Sequence, residues 1–416
     1  MKNSEEMSAL TSPLALTSQT LVTALGRSLA NHRRALQERQ SGLTHCDLPH
    51  ADLDTMIGRV AGLEDEPLTG DLAAFDCRNN RLAVAALEAD GFNHSVQAAI
   101  DRHGADRIAV VVGSSTSGID RTEAAYRARQ GTDEPLPGWF DYQHTQNAFS
   151  PADLTRSYFG LEGMALAVAT ACSSAAKAMA TAARYIEADL ADAAVIGGVD
   201  CLCLTTIYGF NSLELLDNRP CRPWDQTRSG ISLGEAAGFV LMERGQGHCA
   251  DGGNGLSLLG YGESSDAHHM SAPPPDGAGA ARAIDEALAM SGLEARDIDY
   301  VNLHGTGTAS NDSAEDCAVV SRLGRNVPCS STKGLTGHTL GASGMVELVL
   351  TSLAMQDGFI PGTMNTKQVD ESLQAAIELD NRNHPINHAL SNSFGFGGSN
   401  CSLILGYGPN AGCKMT

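Results

Sequence analysis

The apolar positions of this chain gather in short runs rather than in strict alternation. Arg107–Gly113 (RIAVVVG), Ala193–Val199, Gly238–Glu243, Tyr300–His304 and Cys401–Gly406 are mostly apolar on successive residues, as in strands covered on both faces. Between them, Ser173–Asp189, Gly277–Ser291 and Gly341–Gln356 read as helices. This succession predicts an α/β protein built of layers. The polar, turn-rich GQGHCADGGN at Gly245–Asn254 predicts a junction between two halves, residues 1–248 and 249–416. No internal repeat is visible in the sequence, so any symmetry between the halves has to come from structure.

Composition narrows the picture. A chain of 416 residues is longer than one ordinary domain, and 42% hydrophobic with 19% charged residues is the balance of a soluble globular protein. The formal charge of −21 argues against nucleic acid and anionic membranes as partners. An acidic protein partner would need a local basic patch, which a negative net charge does not forbid. The eleven cysteines are scattered. Cys201 and Cys203 stand two apart, but neither a second pair nor a nearby His completes a metal site. The opening MKNSEEMSAL has no apolar signal core, which predicts a cytoplasmic protein. The Ala-rich run Met164–Ala183 is interrupted by Thr170, Cys172, Ser173, Ser174 and Lys177, so it is not read as a membrane span.

Three segments carry candidate chemistry. In TACSSAAKAM, Cys172 stands between a strand-like run, Met164–Thr170, and a helix that starts near Ser173. A thiol there faces the positive end of a helix dipole and unpaired backbone N–H groups, which predicts a depressed thiol pKa and a nucleophile. The same N–H groups suit an oxyanion. His304 ends DYVNLHG, and His338 lies in STKGLTGHTLGASG just before a helix. A histidine at a helix N-terminus is biased toward its neutral form. Two neutral imidazoles donating to one oxygen would stabilise an enolate. Lys333 precedes His338 by five residues, with Glu315 as its expected counter-ion. The pair His268–His269 has no such setting and is assigned no role.

Taken together, TACSSAAKAM around Cys172, CRPWDQTRSG at Cys221–Gly230, GEAAG at Gly234–Gly238, HGTGTASND at His304–Asp312, STKGLTGHTLGASG at Ser331–Gly344 and NSFGFGGSN at Asn392–Asn400 resemble the β-ketoacyl-ACP synthase I/II class of the thiolase superfamily. The resemblance runs from about Arg107 to the C-terminus. It implies a thiolase-like five-layer αβαβα fold of two pseudo-symmetric halves and an obligate dimer. It implies Cys172 as the acylated nucleophile, His304 and His338 as the decarboxylation pair, and Lys333 as the residue that orients them. Glu315, Asp312 and Glu347 are implied as supporting residues, Glu347 with a structural cation beside it; no metal takes part in the reaction. Thr306 and Thr308 match residues that bind the phosphopantetheine arm. Phe396 matches the gating phenylalanine, whose backbone N–H joins that of Cys172 in the oxyanion hole. Arg222, Asp225 and Arg228 are read as bracing a turn.

The implied reaction is decarboxylative Claisen condensation of malonyl-ACP with an acyl-Cys, lengthening the chain by two carbons. It needs no cofactor beyond the phosphopantetheine of the carrier. A thiolase would need a second catalytic cysteine near GFGG, and Cys401 falls after Asn400, where the family has none. The synthase III and chalcone-type enzymes use Cys-His-Asn, which His338 opposes. A non-catalytic chain-length factor lacks the nucleophile, which leaves as the alternative an active subunit paired with such a partner in a heterodimer. Two departures stand out. SALTSPLALTSQTLVTALG is more polar than the family's usual first strand and leaves that strand unassigned. GSSTSGID at Gly113–Asp120, with GWFDYQHTQN at Gly138–Asn147, is similar to specialised synthases such as those of aryl polyene pathways.

Overall fold

The structure is a computed structural model that describes residues 13–129, 131, 133–245 and 255–407. The predicted junction falls, apart from Gly245, outside the described residues. On either side of it lies one mixed sheet. The first contains Leu14–Thr23, Ala236–Arg244, Ala193–Asp200, Ile108–Gly113 and Ala165–Val168, in that order across the sheet. The second runs Leu256–Ser265, Ser399–Tyr407, His388–Gly395, Tyr300–Asn302, Pro328–Ser330 and the short Ala376–Ile377. In each sheet the first three strands form antiparallel pairs, and the strands from the third onward run parallel. The two sheets therefore repeat one topology, a symmetry that the sequence does not display.

Helices complete five layers. Arg78–Leu87, Phe92–His103 and Ser150–Phe159 cover the outer face of the first sheet, and Ala278–Ser291 covers that of the second, with Ala309–Leu323 packed against it. Ser174–Glu187 and Ser343–Asp357 lie between the sheets and touch both. The burial of Ser343–Asp357 explains its composition: residues 343–355 are all buried, so it has no polar face. Ser174–Glu187 is rich in alanine because its neighbours are close. A Cβ added at Gly344 would stand 2.7 Å from Ala176 N, and one at Gly198 would stand 2.7 Å from Ala175 Cβ. Small residues on both sides let the two buried helices meet tightly at their N-terminal ends.

Most predicted elements appear within two residues of their expected ends. The polar N-terminal run is a strand after all, Leu14–Thr23, paired along the inner strand Ala236–Arg244. Its Thr20 hydroxyl is buried but donates to Ala86 O at 3.0 Å, so the polar residue is satisfied inside the core. The run Met164–Ala183 divides into a strand, a turn and part of a helix, and no described helix is long and apolar enough to cross a membrane. The described cysteines are free thiols.

Candidate active site

The repeated topology brings the chemistry together. Cys172 follows the strand Ala165–Val168 and precedes one buried helix; His338 follows the equivalent strand Pro328–Ser330 and precedes the other. His304 follows the strand Tyr300–Asn302, whose counterpart in the first half leads into Ser114. Phe396 follows the strand His388–Gly395. All four segments sit where strands end at the inner helices.

Cys172 is held by a strained turn. Ala171 adopts a left-handed conformation with φ 52°, which costs a non-glycine residue on the order of 1 kcal/mol. The turn is fastened around it: Ser174 Oγ accepts from Thr170 N at 2.9 Å and donates to Ala171 O at 2.6 Å, while Ser173 Oγ donates to Thr170 O at 2.9 Å. The thiol is 4% exposed. Burial pushes it up to about 11, opposed by the Lys333 ammonium and by a hydrogen bond from Phe396 N–H. The expected depression of this pKa is thereby overturned: loss of water around a thiolate outweighs the favourable charges near it. The resting group is a thiol, and it has to lose its proton as it attacks.

Two imidazoles share its pocket. A ligand atom of Cys172, one of His304 and one of His338 all lie within 4.8 Å of one another, in a buried group. The two imidazole rings are edge to face, with centroids 5.2 Å apart. Burial, and then the Lys333 charge, hold both imidazoles well below their usual pKa, so both are neutral. Their tautomers follow from their partners. His338 Nδ1 receives Leu340 N–H at 3.2 Å and lies 3.0 Å from Ser343 Oγ. His304 Nδ1 lies 3.3 Å from the Lys333 ammonium, which has only protons to offer. Each ring therefore carries its proton on Nε2.

Lys333 is buried, and its ammonium also bonds His304 O and Glu347 Oε1. Glu347, not Glu315, is its counter-ion, which corrects the sequence expectation. The Glu315 carboxylate is occupied elsewhere: it accepts from His304 N and Gly305 N, both at 2.8 Å, and from Asn392 Nδ2 at 3.1 Å. Burial pushes both glutamates up to about 7. Asp312 continues the same scaffold by accepting from Thr306 N at 3.1 Å, Gly307 N at 3.2 Å and Trp224 N at 3.0 Å. Glu347 Oε2, Asn302 Oδ1 and Ser391 Oγ have no hydrogen-bond partner. Buried oxygens are the ligand type a hard cation takes, and Glu347 is the residue that would hold the structural ion the resemblance implies.

A cleft leads inward to Cys172, His304 and His338, and Thr306, Thr308 and Phe396 line it. The hydroxyls of Thr306 and Thr308 lie 2.9 Å apart. The Phe396 ring stacks on Phe210 with centroids 5.5 Å apart, beside Gly397 at φ 80° and Gly398 at φ 76°, backbone angles open to glycine. Arg222 bonds Asp217, Asp225 accepts from Lys367 N, and Arg228 pairs with Asp370 and Asp312. These contacts brace turns, as expected.

Sequence reasoning passed over Phe210 and the segment around Asp266. His269, assigned no role there, lines the cleft. Its loop is tied to the Phe396 segment: Asp266 N donates to Gly398 O at 2.9 Å, Gly397 N donates to Met270 O at 2.8 Å, and Asn400 Nδ2 donates to Asp266 Oδ1 at 2.7 Å. The available signal was Asp266 and His269 together in one polar loop just after a strand.

Comparison with known proteins agrees with this geometry. Residues 79–248 match the beta-ketoacyl synthase N-terminal domain, and residues 257–367 match the C-terminal domain. The chain is 32% identical over 416 residues to 3-oxoacyl-[acyl-carrier-protein] synthase 2 of Vibrio harveyi, covering 94% of this chain and 98% of that one. A solved ketosynthase, ApeO in complex with its chain length factor ApeC from Xenorhabdus doucetiae, superposes with a TM-score of 0.85 at 36% identity, over 98% of this chain and 100% of that one. The ishigamide ketosynthase/chain length factor gives a TM-score of 0.86 at 25% identity, over 95% and 99%. With both domain models matched in order and a relative aligned along nearly its whole length, the chain belongs to the beta-ketoacyl synthase family.

Proposed function

We propose that the protein is a β-ketoacyl-[acyl-carrier-protein] synthase, a condensing acyltransferase. The observation that carries this is one thiol and two neutral imidazoles gathered within 4.8 Å of one another, with the Phe396 N–H directed at the thiol. An acyl thioester on a carrier protein enters the cleft, its phosphopantetheine arm against Thr306 and Thr308. Cys172 Sγ attacks the carbonyl, and its proton ends on the departing carrier sulfur. Backbone N–H groups of Cys172 and Phe396 stabilise the oxyanion, and the carrier thiol departs. Malonyl-ACP then binds with its thioester oxygen between the Nε2–H groups of His304 and His338. Loss of carbon dioxide leaves an enolate on that oxygen, and its carbon attacks the acyl-Cys172 carbonyl. Collapse expels the Cys172 thiolate, which takes up a proton from water to return to the thiol, and releases a β-ketoacyl-ACP two carbons longer. The chain supplies no cofactor of its own, and the reaction suits a cytoplasmic protein.

The Phe396 ring, stacked on Phe210, acts as the gate to malonyl. The chain divides functionally at 1–248 and 249–416, a division supported by the two sheets and by the two domain matches on either side of residues 249–256. It works as a dimer. The edge strand Ala165–Val168 leaves Leu166 exposed, with Met164 just before it, which suits pairing with a second subunit. A heterodimer with a chain-length-factor-like subunit, in a specialised pathway of aryl polyene type, is favoured over a homodimer by the likeness to ApeO and by GSSTSGID. Native mass spectrometry of the chain alone and with the neighbouring gene products separates the two assemblies. The reaction itself is tested by Cys172→Ala, which is expected to decarboxylate malonyl-ACP without condensing it. Condensation at the native rate by this variant would overturn the assignment.

A further inference from the structure

The strand Ala193–Asp200 ends in a carboxylate that the reaction above leaves unused. Asp200 is fully buried, and its hydrogen bonds come from neutral donors. Ser114 Oγ donates at 2.7 Å, Ser115 N at 2.9 Å, Ser115 Oγ at 2.6 Å, Thr116 N at 2.9 Å and Thr116 Oγ1 at 2.7 Å. These five belong to one turn of the first half. The sixth, Gly341 N at 2.5 Å, comes from the second half. These donors favour the ionised carboxylate against the burial that raises its pKa.

Gly341 is the link to the chemistry. It lies in the short turn Leu340–Ala342 that follows His338. Leu340 is left-handed, at φ 55°, a conformation that persists in a non-glycine residue only when its surroundings enforce it. The enforcement comes from both sides of this residue. Leu340 N–H donates to His338 Nδ1, and the next N–H along, that of Gly341, donates to Asp200. A Cβ at position 341 would stand 2.7 Å from Asp200 Oδ2 and 2.8 Å from Ser115 N, so only glycine lets the carboxylate approach the turn so closely. Ser115 Oγ adds a second acceptor for the same Gly341 N–H, at 3.3 Å.

We propose that Asp200 is a positioning residue for decarboxylation: by gripping Gly341 N–H it fixes the left-handed Leu340, and so holds Leu340 N–H against His338 Nδ1 and keeps the Nε2–H of His338 aimed at the substrate oxygen. The inference rests on the proposed condensing reaction. It assigns Asp200 to one half of that reaction. Decarboxylation uses His338 as a donor, whereas acylation of Cys172 uses the thiol and the oxyanion N–H groups. The Asp200 charge also raises the Cys172 pKa, so removing it does not hinder the thiol.

The test compares the two half-reactions in Asp200→Asn, Ser115→Ala and Thr116→Val. The asparagine amide N–H₂ cannot accept from Gly341 N–H or from Ser115 N–H. Acylation of Cys172 from acyl-ACP, followed by intact mass, is expected to stay within about threefold of native in Asp200→Asn, while carbon dioxide release from malonyl-ACP falls about 10- to 100-fold, the range of a small misplacement of a catalytic group. Ser115→Ala keeps the carboxylate and loses a contact to Gly341, so it moves the ratio of the two rates in the same direction by a smaller factor. Thr116→Val loses a bond to Asp200 but none to Gly341, and leaves the ratio unchanged. Decarboxylation near native in Asp200→Asn, or both half-reactions falling in proportion, would overturn the proposal. If Asp200→Asn does not fold, an unshifted ratio in Ser115→Ala overturns it instead. Native protein run alongside separates the two questions, since failure of native acylation refutes the reaction rather than the role of Asp200.

Discussion

The buried ion pair between Lys333 and Glu347 offers a perturbation with a two-sided outcome. Replacing Lys333 with Met removes an ammonium that bonds Glu347 Oε1 and His304 O and faces His304 Nδ1. Breaking a buried pair by deleting one partner costs about 3–5 kcal/mol. Glu347 already stands at about 7 with the ammonium beside it. Without that charge it is pushed higher, takes up a proton at neutral pH and brings the cost to the lower end, about 3 kcal/mol. For a chain of 416 residues that corresponds to a fall in Tm of about 3–4 °C. Adding Glu347→Gln removes the orphaned acid, and replacement of both partners is expected to recover most of the loss. Catalysis behaves differently. In both variants His304 Nδ1 has lost its donor, the Nε2–H tautomer is no longer fixed, and malonyl decarboxylation falls about 10²- to 10³-fold, the worth of one oriented donor to an oxyanion. The assay pairs thermal melts with carbon dioxide release from malonyl-ACP for the native protein, both single variants and the double variant. If the double variant regained decarboxylation together with stability, Lys333 would serve only as a counter-ion to Glu347, and the argument that it sets the tautomer of His304 would fail.

Further expectations follow from the same geometry. Glu315 stands at about 7 in the folded chain against an ordinary value of 4.5; since its folded pKa is raised, its contribution is fully present below pH 4.5 and declines by about 3 kcal/mol as pH rises through 7. Glu315→Gln should remove this decline, and urea melts of both proteins at pH 4.5, 6 and 8 check it; parallel curves would refute it. His304 and His338 are held neutral well below 6.5, so malonyl decarboxylation should show no loss centred on pH 6.5 when pH is lowered from 7.5 to about 5.5; a titration at 6.5 in the pH–rate profile contradicts that. Gly344→Ala places a methyl 2.7 Å from Ala176 N and 2.9 Å from Ala176 Cβ, an overpacking cost of about 1–3 kcal/mol, and it should slow acylation by shifting the helix that follows Cys172. A melt and an acylation time course read both effects.

What the sequence revealed, and what it hid, divides along physical lines. The inner strands were legible because full burial writes itself as unbroken apolar runs, as in Ile108–Gly113, and both central helices as longer segments dominated by apolar and small residues, as in Ser343–Asp357. Leu14–Thr23 was not, since its Thr20 hydroxyl is satisfied by Ala86 O, 66 residues away. The symmetry of the halves was hidden because corresponding positions carry different chemistry: a thiol at Cys172 and an imidazole at His338 occupy equivalent places. Cys172, His304 and His338 were readable from local turn context. Their electrostatics were not. The thiol rises instead of falling because burial depends on the whole fold, and Lys333 pairs with Glu347 rather than Glu315 because pairing is decided in space, where the Glu315 carboxylate meets the His304 and Gly305 N–H groups first. Phe210 and His269 were missed for the same reason, being ordinary in sequence and brought to the cleft by the helix Leu204–Ser212 and by the loop after Ser265.

The central claim is that Cys172 carries the growing acyl chain between two carrier-bound substrates. The most direct measurement is intact-mass spectrometry of the protein after incubation with an acyl-ACP, followed by malonyl-ACP, with and without the proposed chain-length-factor-like subunit. A mass gain equal to the acyl group, mapping to Cys172 and lost as β-ketoacyl-ACP once malonyl-ACP is added, is the predicted result. Absence of any adduct across a panel of starters in either assembly, or an adduct on a residue other than Cys172, would contradict it.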